Sequence, residues 1–169
     1  MTVYTTLDSP LGELTLTGEQ TPDLGFVLTA VSVRGQRGGV TVEPAWQRDP
    51  TPFVEAERQL KAYFAGELHD FDLPIAPRGT EFRERVWAAL DTVPYGSTVT
   101  YRELSAMAGV PGAVRAIGGA VGANPLLIIR PCHRVIGSDG TLTGYAGGLD
   151  RKRALLALEG ALQPAARTV

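Results

Sequence analysis

One pentapeptide gathers the reactive side chains of this 169-residue chain: Pro131–Cys132–His133–Arg134–Val135. Cys132 is the only cysteine, and His133 is one of two histidines. A thiol attacks as thiolate, and an adjacent imidazole that can take its proton is the usual route to one near neutral pH. That imidazole needs a carboxylate to orient it, and Glu159 ends the helix expected after Gly147–Gly148. The competing reading is a lone cysteine serving as a small buried hydrophobe. Against it, the pair lies between the apolar run Leu126–Ile129 and the glycine-rich stretch Gly144–Gly148, which suits the lip of a pocket better than a core. Cys132 is thus expected as nucleophile, His133 as proton acceptor and Glu159 as the group that orients it.

The elements that must position these residues fall into two halves. Val3–Thr6 and Leu14–Thr17 read as strands joined by the turn Ser9–Gly12, and Phe26–Val33 as a third. The loop Arg34–Gly39 reads as a polar surface turn, with phosphate contact by its two arginines as the alternative. Val40–Val42 suggests another short strand. Thr51 is expected to cap a helix with Pro52 in its first turn, along which Phe53, Ala56, Leu60 and Tyr63 recur until Gly66. Phe71, Leu73 and Ile75 alternate toward a boundary near residue 78. The sequence therefore predicts an α/β domain over residues 1–77 and a mainly helical domain over 78–169.

Net charge is −2, divided unevenly: residues 1–79 carry 6 Lys and Arg against 11 Asp and Glu, and residues 80–169 carry 10 against 7. The basic half is the one with the cysteine, which suits a DNA-facing domain beside an acidic one. One cysteine excludes an internal disulfide and a thiolate-rich zinc site, and no cofactor motif is present. No apolar run approaches the roughly 20 residues of a membrane span, and Met1–Thr17 alternates rather than forming a signal peptide. A cytoplasmic protein with no membrane contact is expected.

In the second half, Phe82, Val86 and Leu90 mark one helix. Thr100-x-x-Glu103 is a capping box that starts another at Tyr101, ended by Gly109. Val110–Pro111–Gly112 turns the chain into a further helix reaching Gly122, so the pair forms a helix-turn-helix pattern. Ala113, Ala116, Gly118, Gly119, Ala120 and Gly122 leave that second helix nearly bald. Glycine costs a helix about 1 kcal/mol relative to alanine, so three of them imply close approach of another surface. That surface is either an external one or a neighbouring helix or Trp87 within the chain. Asp150 is expected to cap the last helix, with Arg151, Lys152 and Arg153 solvated or on phosphate, and Leu162–Val169 reads as a tail.

Asn124–Pro125, Pro131–Val135, Gly144–Tyr145, Gly147–Gly148 and Glu159 together resemble the O6-alkylguanine-DNA alkyltransferase family, from about Gly79 to Gly160 and more loosely before it. The resemblance implies a ribonuclease-H-like α/β domain followed by a winged-helix-like one. It implies direct-reversal DNA repair: O6-alkylguanine, chiefly O6-methylguanine, is flipped out of duplex DNA and its alkyl group moves irreversibly to Cys132. With it come double-stranded DNA as partner, bound through the minor groove by the bald helix with Ala113, Ala116 and Gly119, and Arg115 filling the gap left by the base. Tyr101 would help expel the nucleotide, and the Val135 carbonyl, the Tyr145 ring and the Ala146 N–H would line the base pocket. Asn124 would act as hinge behind the cysteine turn. A monomer is expected, with cooperative binding along DNA left open.

Arg130 departs from the pattern, standing where the family prefers an apolar residue; it could favour the thiolate or point outward. Two rival functions remain at this level. A non-catalytic alkylguanine sensor would lack the cysteine, and a Cys-His hydrolase would need an oxyanion hole that the sequence does not display. Nothing in the chain offers a way to restore an alkylated thiol, so a single turnover per molecule is expected.

Overall fold

The computed structural model of the chain describes residues 1–76 and 79–161, which divide into two compact units. One holds the chain ahead of Gly79 together with Pro125–Ile129; the other holds Gly79–Asn124 and the chain from Arg130 onward. Residues 77 and 78, on either side of the expected domain boundary, and the tail Leu162–Val169 lie outside the described residues.

The first unit is a four-stranded sheet in the order Gly25–Val33, Leu14–Thr21, Thr2–Leu7, Gln47–Arg48, with one helix. Strands β1 (Thr2–Leu7), β2 (Leu14–Thr21) and β3 (Gly25–Val33) are antiparallel neighbours, in a register that pairs Leu7 with Leu14 and Leu16 with Val31. Alternation then sends Leu14, Leu16, Val31 and Val33 to the interior, as the period of two requires. Helix α1 (Val54–Phe64) adds the buried Leu60 and Tyr63, and Phe53 just before it meets Phe26 of β3 edge to face at 5.0 Å. Two expectations are corrected here. Val40–Val42 forms no strand, and Val42 is exposed. The fourth strand is β4 (Gln47–Arg48), which pairs in parallel with the open edge of β1 only after the chain has turned at Glu43–Trp46. Nor does Thr51 cap α1: the Asp49 carboxylate accepts from the Thr51 N–H at 3.1 Å, and a 3-10 turn over Thr51–Phe53 precedes the helix.

Strand β3 also receives two lone bridges, Leu28 with Ile75 and Val31 with Leu126. Residues 125–129 lie deep in the second half of the sequence yet pair with β3 in this unit, Val31 N–H donating to the Pro125 carbonyl at 2.9 Å.

The second unit contains α2 (Glu81–Leu90), α3 (Tyr101–Met107), α4 (Val114–Gly122) and α5 (Leu149–Leu158). Thr80 caps α2 through the Arg83 N–H at 3.1 Å. The capping box on α3 is complete: Glu103 N–H donates to Thr100 Oγ1 at 3.0 Å, and Thr100 N–H returns to the Glu103 carboxylate at 2.9 Å. The turn between α3 and α4 needs the left-handed conformations of Gly109 (φ +79°) and Gly112 (φ +85°). Trp87 of α2 locks onto α4 by donating its indole N–H to the Ala120 carbonyl at 2.9 Å. Two short strands, β5 (Val99–Thr100) and β6 (Val135–Ile136), pair in parallel. That pairing holds the end of the cysteine turn beside the start of α3. Helix α5 begins at Leu149 with Gly148 as its cap residue, so Asp150 sits inside the first turn rather than capping it. Among the described residues, no helix is long and apolar enough to cross a membrane.

Candidate active site

The chain enters the site through two three-residue turns. Ile129 N–H donates to the Leu127 carbonyl at 2.8 Å around Ile128, the only non-glycine residue with positive φ among those described (φ +73°). A β-branched residue there is strained and persists only because its surroundings over-determine it; Ile128 is 2% exposed. Then Cys132 N–H donates to the Arg130 carbonyl at 2.8 Å around Pro131. Cys132–Arg134 completes a single 3-10 turn that delivers Val135 to β6.

This turn buries what the sequence placed at a pocket lip. Cys132 is 3% exposed and His133 0%. Burial pushes the Cys132 thiol up to about 11, against the Asn124 side-chain hydrogen bond and the charges of Lys152 and Arg130, which favour the thiolate. The resting sulfur is therefore a protonated thiol, which must give up its proton before it can attack. Burial likewise pulls His133 down, against the Glu159 carboxylate, which favours its charged form. His133 Nε2 lies 2.8 Å from Glu159 Oε2, while Nδ1 has no hydrogen-bond partner among the described residues. A carboxylate on Nε2 fixes the proton there and leaves Nδ1 with a free lone pair. The arrangement is that of a neutral base waiting for a proton.

Glu159, at the end of α5, does more than orient His133. Arg134 Nε donates to its Oε1 at 2.7 Å and Arg134 Nη2 to its Oε2 at 3.0 Å, and Arg134 Nη1 donates to the Val93 carbonyl at 2.6 Å. The two ion pairs share one fully buried carboxylate.

Lys152 corrects a second expectation. It is neither solvated nor on a phosphate-facing surface: it is 0% exposed, and its Nζ donates to the carbonyls of Val135 at 2.5 Å, Thr143 at 2.7 Å and Gly144 at 3.2 Å. Burial brings its ammonium down to about 8. Tyr101, first residue of α3, donates its hydroxyl to the same Thr143 carbonyl at 3.2 Å, and burial raises its phenol. Lys152 and Tyr101 thus tie the loop that carries Tyr145 and Ala146 to the strand that follows the cysteine.

The structure therefore brings Cys132, His133, Glu159, Asn124, Tyr101 and the Val135 backbone into one cluster. Asn124 directly follows α4, and its Nδ2 also donates to the Arg130 carbonyl at 3.4 Å. Tyr145 and Ala146 are half-buried on the loop, closed by Gly148 N–H to the Tyr145 carbonyl at 2.9 Å. Ala113, Arg115, Ala116 and Gly119 lie apart from the cluster on α4, where Arg115, Ala116 and Gly119 are exposed. A Cβ added at Gly118, Gly119 or Gly122 would meet nothing within 4 Å. Packing inside the chain does not require those three glycines, whereas the buried Ala120 lies where Trp87 reaches its carbonyl.

Sequence reasoning missed Lys152 and the structural share of Arg134. A signal for Lys152 was there: positions 152, 155, 156 and 159 follow a 3, 4, 7 spacing and are all buried, so the lysine lies on the inward stripe of α5. A charge on such a stripe must find carbonyls or a counter-ion.

Comparison with known proteins finds relatives over both halves of the chain. Residues 2–77 match the family profile of the 6-O-methylguanine DNA methyltransferase ribonuclease-like domain, and residues 81–161 that of its DNA-binding domain. The chain is 52% identical to the methylated-DNA–protein-cysteine methyltransferase of Mycobacterium tuberculosis, over 98% of this chain and 97% of that one. A Methanosarcina acetivorans protein of the same name is 48% identical over 93% and 97%. The crystal structure of Mycobacterium tuberculosis OGT in complex with DNA superposes with a TM-score of 0.85 over 96% of each chain. With a match in both halves and half its residues shared along nearly the whole length, the chain belongs to the 6-O-methylguanine DNA methyltransferase family.

Proposed function

We propose that this chain repairs O6-alkylguanine in duplex DNA by moving the alkyl group, chiefly methyl, onto Cys132 and is consumed in doing so. The observation that carries this reading is the buried Cys132 beside a neutral His133 whose far nitrogen is fixed by Glu159. In the reaction the S–H proton leaves toward His133 Nδ1, through a water that bridges side chains of sequence neighbours. The sulfur bonds to the alkyl carbon, the carbon–O6 bond breaks, and guanine recovers one proton at N1. Tyr101, kept neutral by its raised phenol, supplies a hydrogen bond to the departing purine. The thioether is stable, so one molecule repairs one lesion.

An O6 inside the stack is out of reach, and the base must be flipped into the pocket at a cost of a few kcal/mol. Helix α4 is the element suited to drive this. Its open glycine face fits a minor groove only about 6 Å wide, and exposed Arg115 can occupy the space left by the base. The Ala146 N–H and the Cys132 and Val135 carbonyls would read the guanine edge, with the Tyr145 ring as wall. The protein acts as a monomer in the cytoplasm, where its thiol stays reduced.

The direct test is intact-protein mass after mixing with duplex DNA containing O6-methylguanine at several ratios. A gain of one methyl group on Cys132, saturating at one per protein, is expected. Unchanged mass with selective binding would make the protein a lesion sensor, and no selective binding would reopen the hydrolase reading.

The bald helix yields a prediction in which stability and binding move oppositely. Gly119→Ala fills open space on α4 and is expected to stabilise the protein by about 1 kcal/mol. Gly119→Leu keeps part of that gain but obstructs close approach, and should weaken binding to undamaged duplex about tenfold or more. Thermal unfolding and fluorescence anisotropy on the same samples check both; equal affinity for the Leu variant would remove α4 from the interface.

A further inference from the structure

Arg130 is buried at 5% exposure directly before Pro131. Its Nε and Nη2 donate to the Asp91 carboxylate at 3.0 and 3.3 Å, and its guanidinium carbon lies 5.1 Å from the centre of the Trp87 ring. Nη1 has no partner among the described residues. The side chain of Asp91 is 43% exposed, so the pair spends a fully desolvated cation on a half-solvated partner. Such an arrangement is a poor source of stability.

The backbone of the same residue supplies a reason for it. The Arg130 carbonyl accepts from both the Cys132 N–H and Asn124 Nδ2, so the nucleophile and its hinge hang from one oxygen. We propose that Arg130 is a positioning residue: clamped between Trp87 and Asp91, it fixes the carbonyl that sets the cysteine turn and holds a permanent positive charge near the sulfur. The inference rests on the alkyl-transfer reading above.

The groups bearing on that sulfur are Lys152 from α5, Tyr101 from α3, Arg130, and His133 with Glu159 and Arg134 behind it. His133 and Tyr101 are neutral near pH 7, and Arg134 is committed to Glu159. Lys152 and Arg130 remain as cations that favour the thiolate, and they differ in one respect. Lys152 loses its proton near pH 8, whereas a guanidinium keeps its charge throughout.

The test is single-turnover methyl transfer from O6-methylguanine duplex between pH 6.5 and 9.5, for the wild type, Arg130→Met, Arg130→Lys and Asp91→Asn. Arg130→Met should move the rate profile up by about one pH unit, a tenfold loss at a given pH, with the deficit widening above pH 8 and duplex affinity unchanged. Arg130→Lys should recover most of the rate below pH 9. Asp91→Asn, which uncovers the charge, should move the profile down. A profile for Arg130→Met parallel to the wild type at every pH would overturn the proposal. So would an unmoved profile for Asp91→Asn, which decides the matter should Arg130→Met fail to fold. Absence of transfer by the wild type would instead remove the function on which the inference stands.

Discussion

Cys132→Ala is expected to accept no methyl group from O6-methylguanine DNA while binding the same duplex as tightly as the wild type. The chain has no second thiol to substitute, so the loss should be complete rather than partial. Binding should survive because the proposed DNA-binding face, on α4, does not include the cysteine. The variant also has a signature in stability against pH. A thiol raised from 9.0 to about 11 contributes stability that is whole below pH 9 and is lost as pH rises through 11. Lys152 has the opposite sign: with its ammonium lowered from 10.5 to about 8, the unfolded chain binds more protons between those values, and stability rises with pH across that window. In the wild type the two slopes oppose each other between pH 9 and 10.5. Removing the thiol leaves the lysine alone, so Cys132→Ala should gain stability relative to wild type over that range. Denaturant midpoints at pH 7.5 and 10 measure it. Methylated Cys132→Ala would overturn the nucleophile assignment, and a constant difference between the two pH values would overturn the buried-thiol account.

What the sequence made legible was whatever one residue type and its near neighbours decide. The three main strands follow from alternation, and the box Thr100-x-x-Glu103 closes because both partners lie within one turn. The Cys132–His133 pair stood out because a lone Cys beside His is rare, and the fold brings Glu159 to 2.8 Å from His133. The misses involve partners distant in the chain. Val40–Val42 alternates as well as β4 does, but only the open edge of β1 decides which segment pairs. Leu126 bridges Val31 across 95 positions, a pairing no local pattern announces. Lys152 and Arg130 look like surface charges until the carbonyls of Val135 and Thr143, or the ring of Trp87, are brought to them by the fold. Burial of Cys132 had the largest consequence: spacing suggested the lip of a pocket, whereas the residue is 3% exposed with its thiol pushed up to about 11, since desolvation depends on everything packed around it.

Glu159→Gln should be the most destabilising single substitution at this site, and comparison with His133→Gln separates the reasons. The carboxylate is fully buried and shared: it orients His133 through Oε2 and takes a two-pronged contact from Arg134. Glutamine retains the shape but leaves the Arg134 guanidinium buried opposite an uncharged group. Breaking such a pair from one side costs about 3–5 kcal/mol, which for a chain of this size lowers the midpoint of thermal unfolding by about 10 °C. His133→Gln leaves the Glu159–Arg134 pair intact, so its stability loss should stay near about 1 kcal/mol. Transfer should nevertheless fall in both, by about 100-fold or more, because neither variant has an oriented neutral base to take the thiol proton. Arg134→Met gives the complement, with stability lost and the His133–Glu159 contact retained. Unfolding midpoints and single-turnover rates on the three variants therefore define a square with one shared corner. If Glu159→Gln were as stable as His133→Gln, the carboxylate would serve the imidazole alone. If Arg134→Met lost transfer as fully as His133→Gln while still folded, the arginine would belong to the chemistry and not only to the frame that holds it.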